Sequence, residues 1–429
     1  MAELTLSIKP DTLTLSRDHR RIVAFDREGR WTTLFLDGVV YQRGLSGQVV
    51  EKAVTEEDGA SRKRLRALSP GERARLAGVT AELAGEAQRQ LEHGDGQLRW
   101  ELPPRVAHLL REAALPPEEL ARPWLERALA WDERRLEEDV RRFLEVYQPV
   151  SILPPDQYRA VYLQATTGCS YNKCAFCDLY RDRPFAAKTV DEFRRHVAAV
   201  RRFLGGTALG RRTLFLGDGN ALMAPTDRLL HWMAEASSVF PLAPGATAAE
   251  RIRYVESHPG TYEGFYVFQD LFHTREKSVA ELEALAAAGL RRVYLGVETG
   301  SEALSRFLHK PGRPSYALQA VRNLHRAGLA VGLILLLGAG GEAYAEEHVS
   351  ATAELINQME LGPEDLIYYS PIVEIPGLPY QRAMDAQSIR RLDEAELEEQ
   401  RRRLDEAIRA PRWPRGPRRS LYDLREFVY

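Results

Sequence analysis

AVYLQATTGCSYNKCAFC, residues 160–177, places a short strand-like run, Ala160 to Gln164, just before three thiols, Cys169, Cys174 and Cys177. Five more runs of that texture follow: TLFLG (213–217), YVFQ (266–269), RVYLGV (292–297), AVGLILLLG (330–338) and DLIYYS (365–370). All are short and mostly apolar, as strands buried on both faces are. Between them, apolar residues at helical spacing predict helices near 189–204, 226–238, 278–288, 314–327 and 343–359. Two of these open with capping boxes, Thr189 with Glu192 and Ser278 with Glu281, and two end in glycine, at Gly289 and Gly328. Strand and helix in repeated alternation predict an α/β fold, either a parallel barrel or a doubly wound sheet. The piece from about 240 to 263, containing APG and HPG, is a longer connection and reads as an insertion.

On the N-terminal side the texture differs. LTLSI, TLTLS, RIVAF and WTTLFL alternate apolar and polar residues around KPD, RDH and DREG, and Asp37-Gly38 marks another turn. Residues 1–65 are therefore expected to form a small antiparallel β element of about five strands. Residues 66–150 read as a helical accessory region. Ser69-Pro70 supplies a cap and a first-turn proline for a helix to about His93, and further helices cover about 104–114 and 117–147. Glu/Arg-rich stretches such as WDERRLEEDVRRF (131–143) are expected to be solvated faces. Residues 151–385 hold the repeated βα units. Residues 386–429 read as a C-terminal helix and an Arg/Pro-rich tail, RAPRWPRGPRRS (409–420).

The chain has 429 residues, 44% apolar and 28% charged, with 59 Lys+Arg against 61 Asp+Glu for a net charge of -2. That length suggests roughly two or three domains, and the composition excludes a fibre or wholesale disorder. Balanced charge provides no global field for nucleic acid or anionic membrane. A lone Trp413 in a short basic tail is weak support for RNA contact, so nucleic acid is not an expected partner. The opening MAELTLSIKPD lacks the basic-then-apolar pattern of a signal peptide. The longest apolar run, Ala327 to Gly341, falls short of the ~20 residues that span a bilayer. A cytoplasmic location without a membrane partner is the expectation.

The three cysteines, all within 169–177, are the only ones in the chain. An odd, clustered set is no disulfide framework and points to a reducing compartment and a metal. Following the first strand of the βα region, they sit at its C-terminal end, where parallel α/β barrels keep their active sites. Thiolates spaced C-x4-C-x2-C can hold three irons of a cubane cluster and leave the fourth open to a non-protein ligand. Zinc completed by a histidine is a second reading, and three free cysteines in a buried turn a third. Phe176 suits either packing or shielding a cluster from water.

The cysteine segment resembles the cluster-binding loop of the radical S-adenosylmethionine (SAM) superfamily, whose common pattern is C-x3-C-x-aromatic-C. Cys174-Ala175-Phe176-Cys177 matches its second half, and the first spacing is one residue longer. The resemblance covers about 155–380. It implies a partial (β/α)6 TIM-like barrel of parallel strands, with the N-terminal β-plus-helical residues as an accessory domain. In LFLGDGNAL (214–222), Gly217 and Gly219 let the backbone approach a ligand, and Asp218 and Asn220 can hold an ammonium group; a plain β-to-α turn is the alternative. In the family, the segment at this position binds the amino group of the SAM methionine. In VYLGVETGSEALSRFLHKPG (293–312), Glu298 at a barrel mouth can accept two ribose hydroxyls, with Gly300 and Ser301 behind it, or it is a helix-start acid. The matching family segment contacts SAM there; Lys310 can reach a carboxylate or is simply solvated near its turn. VGLILLLGAGGE (331–342) is similar to the family segment flanking the adenine, which makes Ile334 and Gly338 candidates.

The resemblance implies a radical SAM enzyme with two cofactors, a [4Fe–4S] cluster and S-adenosylmethionine. In that chemistry a reduced cluster, chelated at its open iron by SAM, passes one electron into the sulfonium. The resulting 5′-deoxyadenosyl radical abstracts hydrogen from a substrate, here unidentified. An external one-electron reductant of flavodoxin or ferredoxin type is implied as a partner. With no fourth cysteine, sulfur insertion through a second cysteine-ligated cluster and methylation through a methyl-cysteine are not expected. Asp18-His19 lacks the spacing of a D-x-H-x-x-G cobalamin motif. The order of motifs is similar to the oxygen-independent coproporphyrinogen oxidase-like branch, although no residue indicates a porphyrin. Tyr368, Tyr369 and Ser370 are expected to face the barrel interior or mouth with Glu374 nearby, and His273 and His348 to be structural. A zinc-stabilised binding protein and a non-catalytic SAM binder are the alternatives.

Overall fold

The computed structural model describes residues 4–57, 60–93, 98–271 and 277–429; His273 lies outside them. The alternating N-terminal runs form β1 (Leu4–Ile8), β2 (Leu13–Arg17), β3 (Arg21–Phe25), β4 (Trp31–Leu36) and β5 (Val39–Arg43), each antiparallel to the one before. The sheet is larger than five strands. A polar hairpin, β6 (Val49–Glu57) and β7 (Ala60–Ala67), extends one side, and β8 (Leu98–Glu101) pairs parallel to β1 on the other. Because side chains alternate across a strand, Leu4, Leu6, Ile8, Leu13, Leu15 and Val23 share one buried face. That face shares a core with α1 (Pro70–His93) and α3 (Pro117–Leu129); α2 (Pro104–Glu112) lies between them in sequence. The β element, α1 and α3 thus have one core.

Residues 117–147 form two helices instead of one. Trp131 donates its indole N–H to the Glu28 carbonyl at 2.8 Å, and Asp132 caps α4 (Glu133–Val146) by accepting from the Arg135 N–H. The α4 face is only partly solvated: Asp139 is 1% exposed and takes a bidentate pair from Arg30 at 2.9 and 3.0 Å. The acidic texture of the segment hid that burial.

After β9 (Val161–Gln164) and a two-residue ladder, β10 (Thr166–Thr167) with β11 (Ala186–Ala187), the expected strands appear as β12 (Leu214–Gly217), β13 (Phe265–Gln269), β14 (Leu290–Glu298), β15 (Ala330–Leu337) and β16 (Leu366–Pro371). All pair in parallel and in sequence order, as successive βα units do. The sheet is open, a partial barrel with β9 at one edge. The outer helices are α5 (Val190–Leu204), α6 (Thr226–Val239), α7 (Ala248–Ser257), α8 (Val279–Ala287), α9 (Glu302–Phe307), α10 (Tyr316–Arg326), α11 (Gly341–Ile356), α12 (Pro379–Ala386) and α13 (Glu394–Ala407). Both expected capping boxes form, and the 240–263 connection carries α7 with a third, Thr247 with Glu250. None of the described helices is long and apolar enough to cross a membrane.

The C-terminal segment is built into the fold. Arg418–Leu421 forms β17, a seventh parallel strand beside β16, and Tyr422 donates to the Leu153 carbonyl at 2.7 Å. The Tyr429 hydroxyl accepts the Tyr162 N–H of edge strand β9 at 3.0 Å, and His196 Nε2 on α5 accepts the Gln164 N–H at 2.9 Å. Those two acceptors cover an edge that would otherwise present bare donors. Inside the barrel Tyr162, Phe215, Phe268 and Tyr294 pack ring to ring with centroids 5.1–6.1 Å apart. Below them Asp156 accepts from the hydroxyls of Tyr294 and Tyr368 at 2.5 and 2.7 Å. The interior is therefore closed at the bottom, and open chemistry is left to the upper rim.

Candidate functional site

The cysteines lie on the loop between β10 and β11, whose ladder pairs Thr166 with Ala187 and Thr167 with Ala186. Arg181 donates to the Cys177 and Cys174 carbonyls, both at 2.9 Å, so one guanidinium fixes both ends of the C-A-F-C turn. Ala175 inside that turn donates its N–H to the Leu308 carbonyl at the end of α9 and accepts from Tyr380 N–H in α12. Phe176 packs on an apolar cluster that includes Leu304, Leu308, Leu336 and Tyr380. All three thiols are half-buried and free of disulfides. Burial pushes Cys174 up to about 11, against the pull of Lys310 and with smaller upward contributions from Glu298 and Cys169. Burial likewise pushes Cys177 up to about 12, and both other cysteines add to it. Each of these two thiols thus feels its neighbours' charge.

At the end of β12 the carboxylate of Asp218 faces inward. Its oxygens accept from Tyr162 Oη, from Gln164 Nε2 at 3.1 Å, from the Gly168 N–H at 2.9 Å and from Arg183 Nε at 3.4 Å. The Gly168 bond ties it to the start of the cysteine loop. Gly217 and Gly219 leave room for this chain's own rings: a Cβ on Gly219 would lie 2.7 Å from Tyr180. Asn220, fully buried, donates to Ser170 Oγ at 2.9 Å and accepts the Asp270 N–H at 3.2 Å, so it links the cysteine loop to the end of β13.

Across the rim, Glu298 ends β14 in a left-handed conformation, φ 64°, after a register shift in the sheet. Its Oε1 is 2.8 Å from Lys310 Nζ, which also donates to the Gly296 carbonyl. A Cβ at Gly296 would sit 2.5 Å from that carboxylate oxygen, so glycine there makes room for the pair. Burial works against the Lys310 ammonium, but Glu298 and Cys174 outweigh it and hold its pKa above the usual lysine value. Lys310 is thus a cation set between a barrel carboxylate and a cysteine of the loop.

Ser301 is engaged elsewhere, capping α9 through the Leu304 N–H at 3.0 Å and donating to Glu347 at 2.6 Å. Ile334 on β15 pairs with Gly296 and Tyr368 in the sheet register. Gly338, φ 76°, donates its N–H to Gln400 at 2.8 Å under α13. Tyr368 reaches down to Asp156, whereas Tyr369 points outward and donates to Asp405 on α13 at 3.2 Å, contrary to the inward expectation. Glu374 pairs with Arg391. His348 is fully buried and bonded to Thr299 at 2.8 Å; burial lowers its pKa to about 4.

Residues 163–356, spanning these strand ends and the cysteine loop, match the family model of the radical SAM superfamily. The barrel is a radical SAM domain. Enzymes of this class use a [4Fe–4S] cluster and SAM and draw electrons from an external donor. Among solved structures, the chain is similar to the cobalamin-dependent SAM radical enzyme OxsB, at 13% identity over 56% of this chain and 30% of that one, TM-score 0.34. It is similar to coproporphyrinogen III oxidase (HemN) from Escherichia coli at 13% identity over 58% and 55%, TM-score 0.36. It is also similar to the FeFe-hydrogenase maturase HydG from Carboxydothermus hydrogenoformans at 14% identity over 82% and 76%, TM-score 0.37. The chain therefore spans less than a third of OxsB and about half of HemN, and likenesses this distant carry nothing about activity. No curated protein matches the chain.

The donor set of the radical SAM domain fits a cluster. Its three half-buried thiols are held on one clamped loop, and binding a metal removes the protons that burial keeps on Cys174 and Cys177. Among the described residues, no group of three or more His, Cys, Asp and Glu side chains is arranged to hold a single metal ion. In a cubane, by contrast, each thiolate takes a different iron.

Proposed function

We propose that Cys169, Cys174 and Cys177 hold a [4Fe–4S] cluster at the C-terminal end of β9, and that the protein is a radical SAM enzyme acting on a substrate by hydrogen abstraction. The observation that carries this is the placement of three free thiols on one clamped loop at the rim of a barrel that matches the radical SAM model, with the Lys310–Glu298 pair across from them. When bound, the cluster and SAM would supply one-electron reductive cleavage of the sulfonium.

The chain's own residues orient and enclose. Arg181 and the Leu308 and Tyr380 backbones hold the C-A-F-C turn, and Phe176 covers it with apolar surface. Asp218 acts as a positioning residue, pinning Gly168 at the start of the loop; Asn220 ties that loop to the end of β13, and the 217–220 segment would hold the amino end of SAM. Glu298, its direction fixed by Lys310, would accept the ribose hydroxyls, and Ile334 and the Gly338 backbone would border the adenine. Ser301 contributes by capping the helix behind Glu298. An external one-electron donor of flavodoxin or ferredoxin type serves the cluster.

Anaerobically reconstituted protein given dithionite and SAM should release 5′-deoxyadenosine, and Cys174→Ala should abolish it. SAM binding without any cleavage product would make the protein a non-catalytic binder instead.

A further inference from the structure

Tyr380 is the second residue of α12 and closes the stretch IPGLPY (375–380) that leads into that helix. Its backbone N–H is one of the helix's first donors, which no carbonyl of the same helix can accept. It goes instead to the Ala175 carbonyl inside the C-A-F-C turn, at 3.1 Å. Its hydroxyl accepts the Gly340 N–H at 3.0 Å, in the glycine turn that follows β15. One residue therefore bonds the cysteine turn through its backbone and the glycine turn through its side chain. The ring between those two bonds is 2% exposed and meets Phe307 edge-on with centroids 5.8 Å apart. Packing of that kind holds a side chain to one rotamer.

The glycine turn depends on such an outside hold. Gly338 and Gly340 both have positive φ, 76° and 73°, and the Gly341 N–H closes the turn on the Gly338 carbonyl at 3.0 Å. Glycine populates both signs of φ, so a run of this composition does not fix its own shape. Two side chains fix it from outside: Gln400 of α13 accepts the Gly338 N–H, and the Tyr380 hydroxyl accepts that of Gly340. Gly340 is buried, so loss of the hydroxyl would leave its donor without this partner and away from water. Of the two, Tyr380 is the one that also bonds the cysteine turn. On its other side Ala175 donates to the Leu308 carbonyl, two residues before Lys310. The C-A-F-C turn is thus joined to the Lys310 turn by backbone alone and to the glycine turn through Tyr380.

We propose that Tyr380 is a positioning residue for SAM, its hydroxyl holding the glycine turn that would border the adenine in register with the cysteine turn. The inference rests on the radical SAM reading of both turns. A ligand whose amino-acid end meets the cluster and whose adenine meets the glycine turn binds tightly only if the two places are held at a fixed separation beforehand. Tyr380 acts through Ala175 and Gly340 and touches no reacting atom.

Tyr380→Phe tests this, because it keeps the ring and the backbone bond and removes only the hydroxyl. Anaerobically reconstituted, the variant should carry as much iron and sulfide as the parent and lose about tenfold in SAM affinity by titration calorimetry. After reduction its SAM-free cluster signal should match the parent's, while the change in g-values on adding SAM should need about tenfold more SAM. Tyr262→Phe is the control. It deletes an equally buried hydroxyl, bonded to the Ala208 carbonyl at 2.9 Å, ahead of β13 and away from both turns. It should lower Tm and leave SAM affinity within about twofold of the parent's. A Tyr380→Phe protein that loses Tm but binds SAM as the parent does would make the hydroxyl structural only and overturn the proposal. Loss of the cluster in that variant would overturn it too, since the bond to the cysteine turn is kept. A parent that carries a cluster and does not bind SAM would remove the radical SAM reading, and the inference with it.

Discussion

Lys310 occupies a position where its loss should be felt in two ways. Its ammonium is nine-tenths buried and is the direct partner of the Glu298 carboxylate. Removing one member of a buried pair strands the other, which costs about 3 kcal/mol or more, whereas removing both is far milder. Lys310→Met should therefore destabilise the folded protein by about 3 kcal/mol in urea unfolding, and Lys310→Met with Glu298→Gln should recover most of that loss. A single variant within about 0.5 kcal/mol of the parent would show that the pair carries little. The place of Glu298 after a strand end is legible in sequence, whereas Lys310 reads there as readily as a solvated lysine near a turn, and only the fold brings the two together. The direction of Asp218 was not, since its partners Tyr162, Gln164, Gly168 and Arg183 lie 35 to 56 residues away in the chain. Arg181 is not legible either, because a guanidinium that grips two carbonyls looks, in sequence, like any arginine in a loop.

At the scale of elements, edge strand β9 depends on a neutral histidine. Burial, with a smaller push from Lys188, lowers His196 to about 3, so its Nε2 stays free to accept the Gln164 N–H. In the unfolded chain that imidazole titrates near 6.5 and binds a proton that the folded form refuses. The His196 contribution is thus complete above pH 6.5 and is lost as pH falls towards 3. His348, lowered to about 4 by burial, behaves in the same direction. Each should cost about 2 kcal/mol between pH 6.5 and 5. Urea unfolding of His196→Gln, which keeps an acceptor but does not titrate, should show about half the parent's loss over that interval. A parent stability flat from pH 7 to 5 would contradict the assignment. The six central strands were legible because burial on both faces leaves unbroken apolar runs. The polar β6, β7 and β17 were not, because hairpins and edge strands carry charged side chains outward: β17 reads RRSL, with two arginines in four residues.

For the whole molecule, the junction between the N-terminal sheet and the barrel rests on ionic contacts placed where an apolar seam would be ordinary. Arg30 joins Asp139 of α4, the Phe203 carbonyl of α5 and the ring of Trp131, while Asp26 takes the Thr207 hydroxyl at 2.7 Å. Asp139→Asn should cost about 3–5 kcal/mol, read as loss of stability in urea unfolding of the full chain. A change below about 1 kcal/mol would show the junction to be indifferent to that pair. This seam was hidden in sequence because its acids and arginines sit among many solvated ones. The cysteine loop at the far rim was plain, since nothing else in the chain resembles it. The central claim is that this loop holds a cluster with an iron open to SAM, and its most direct measurement combines metal analysis with electron paramagnetic resonance on anaerobically reconstituted protein. About four irons and four sulfides per chain are expected and, after reduction, a signal whose g-values shift when SAM is added. One zinc per chain without sulfide, or a cluster signal indifferent to SAM, would contradict it.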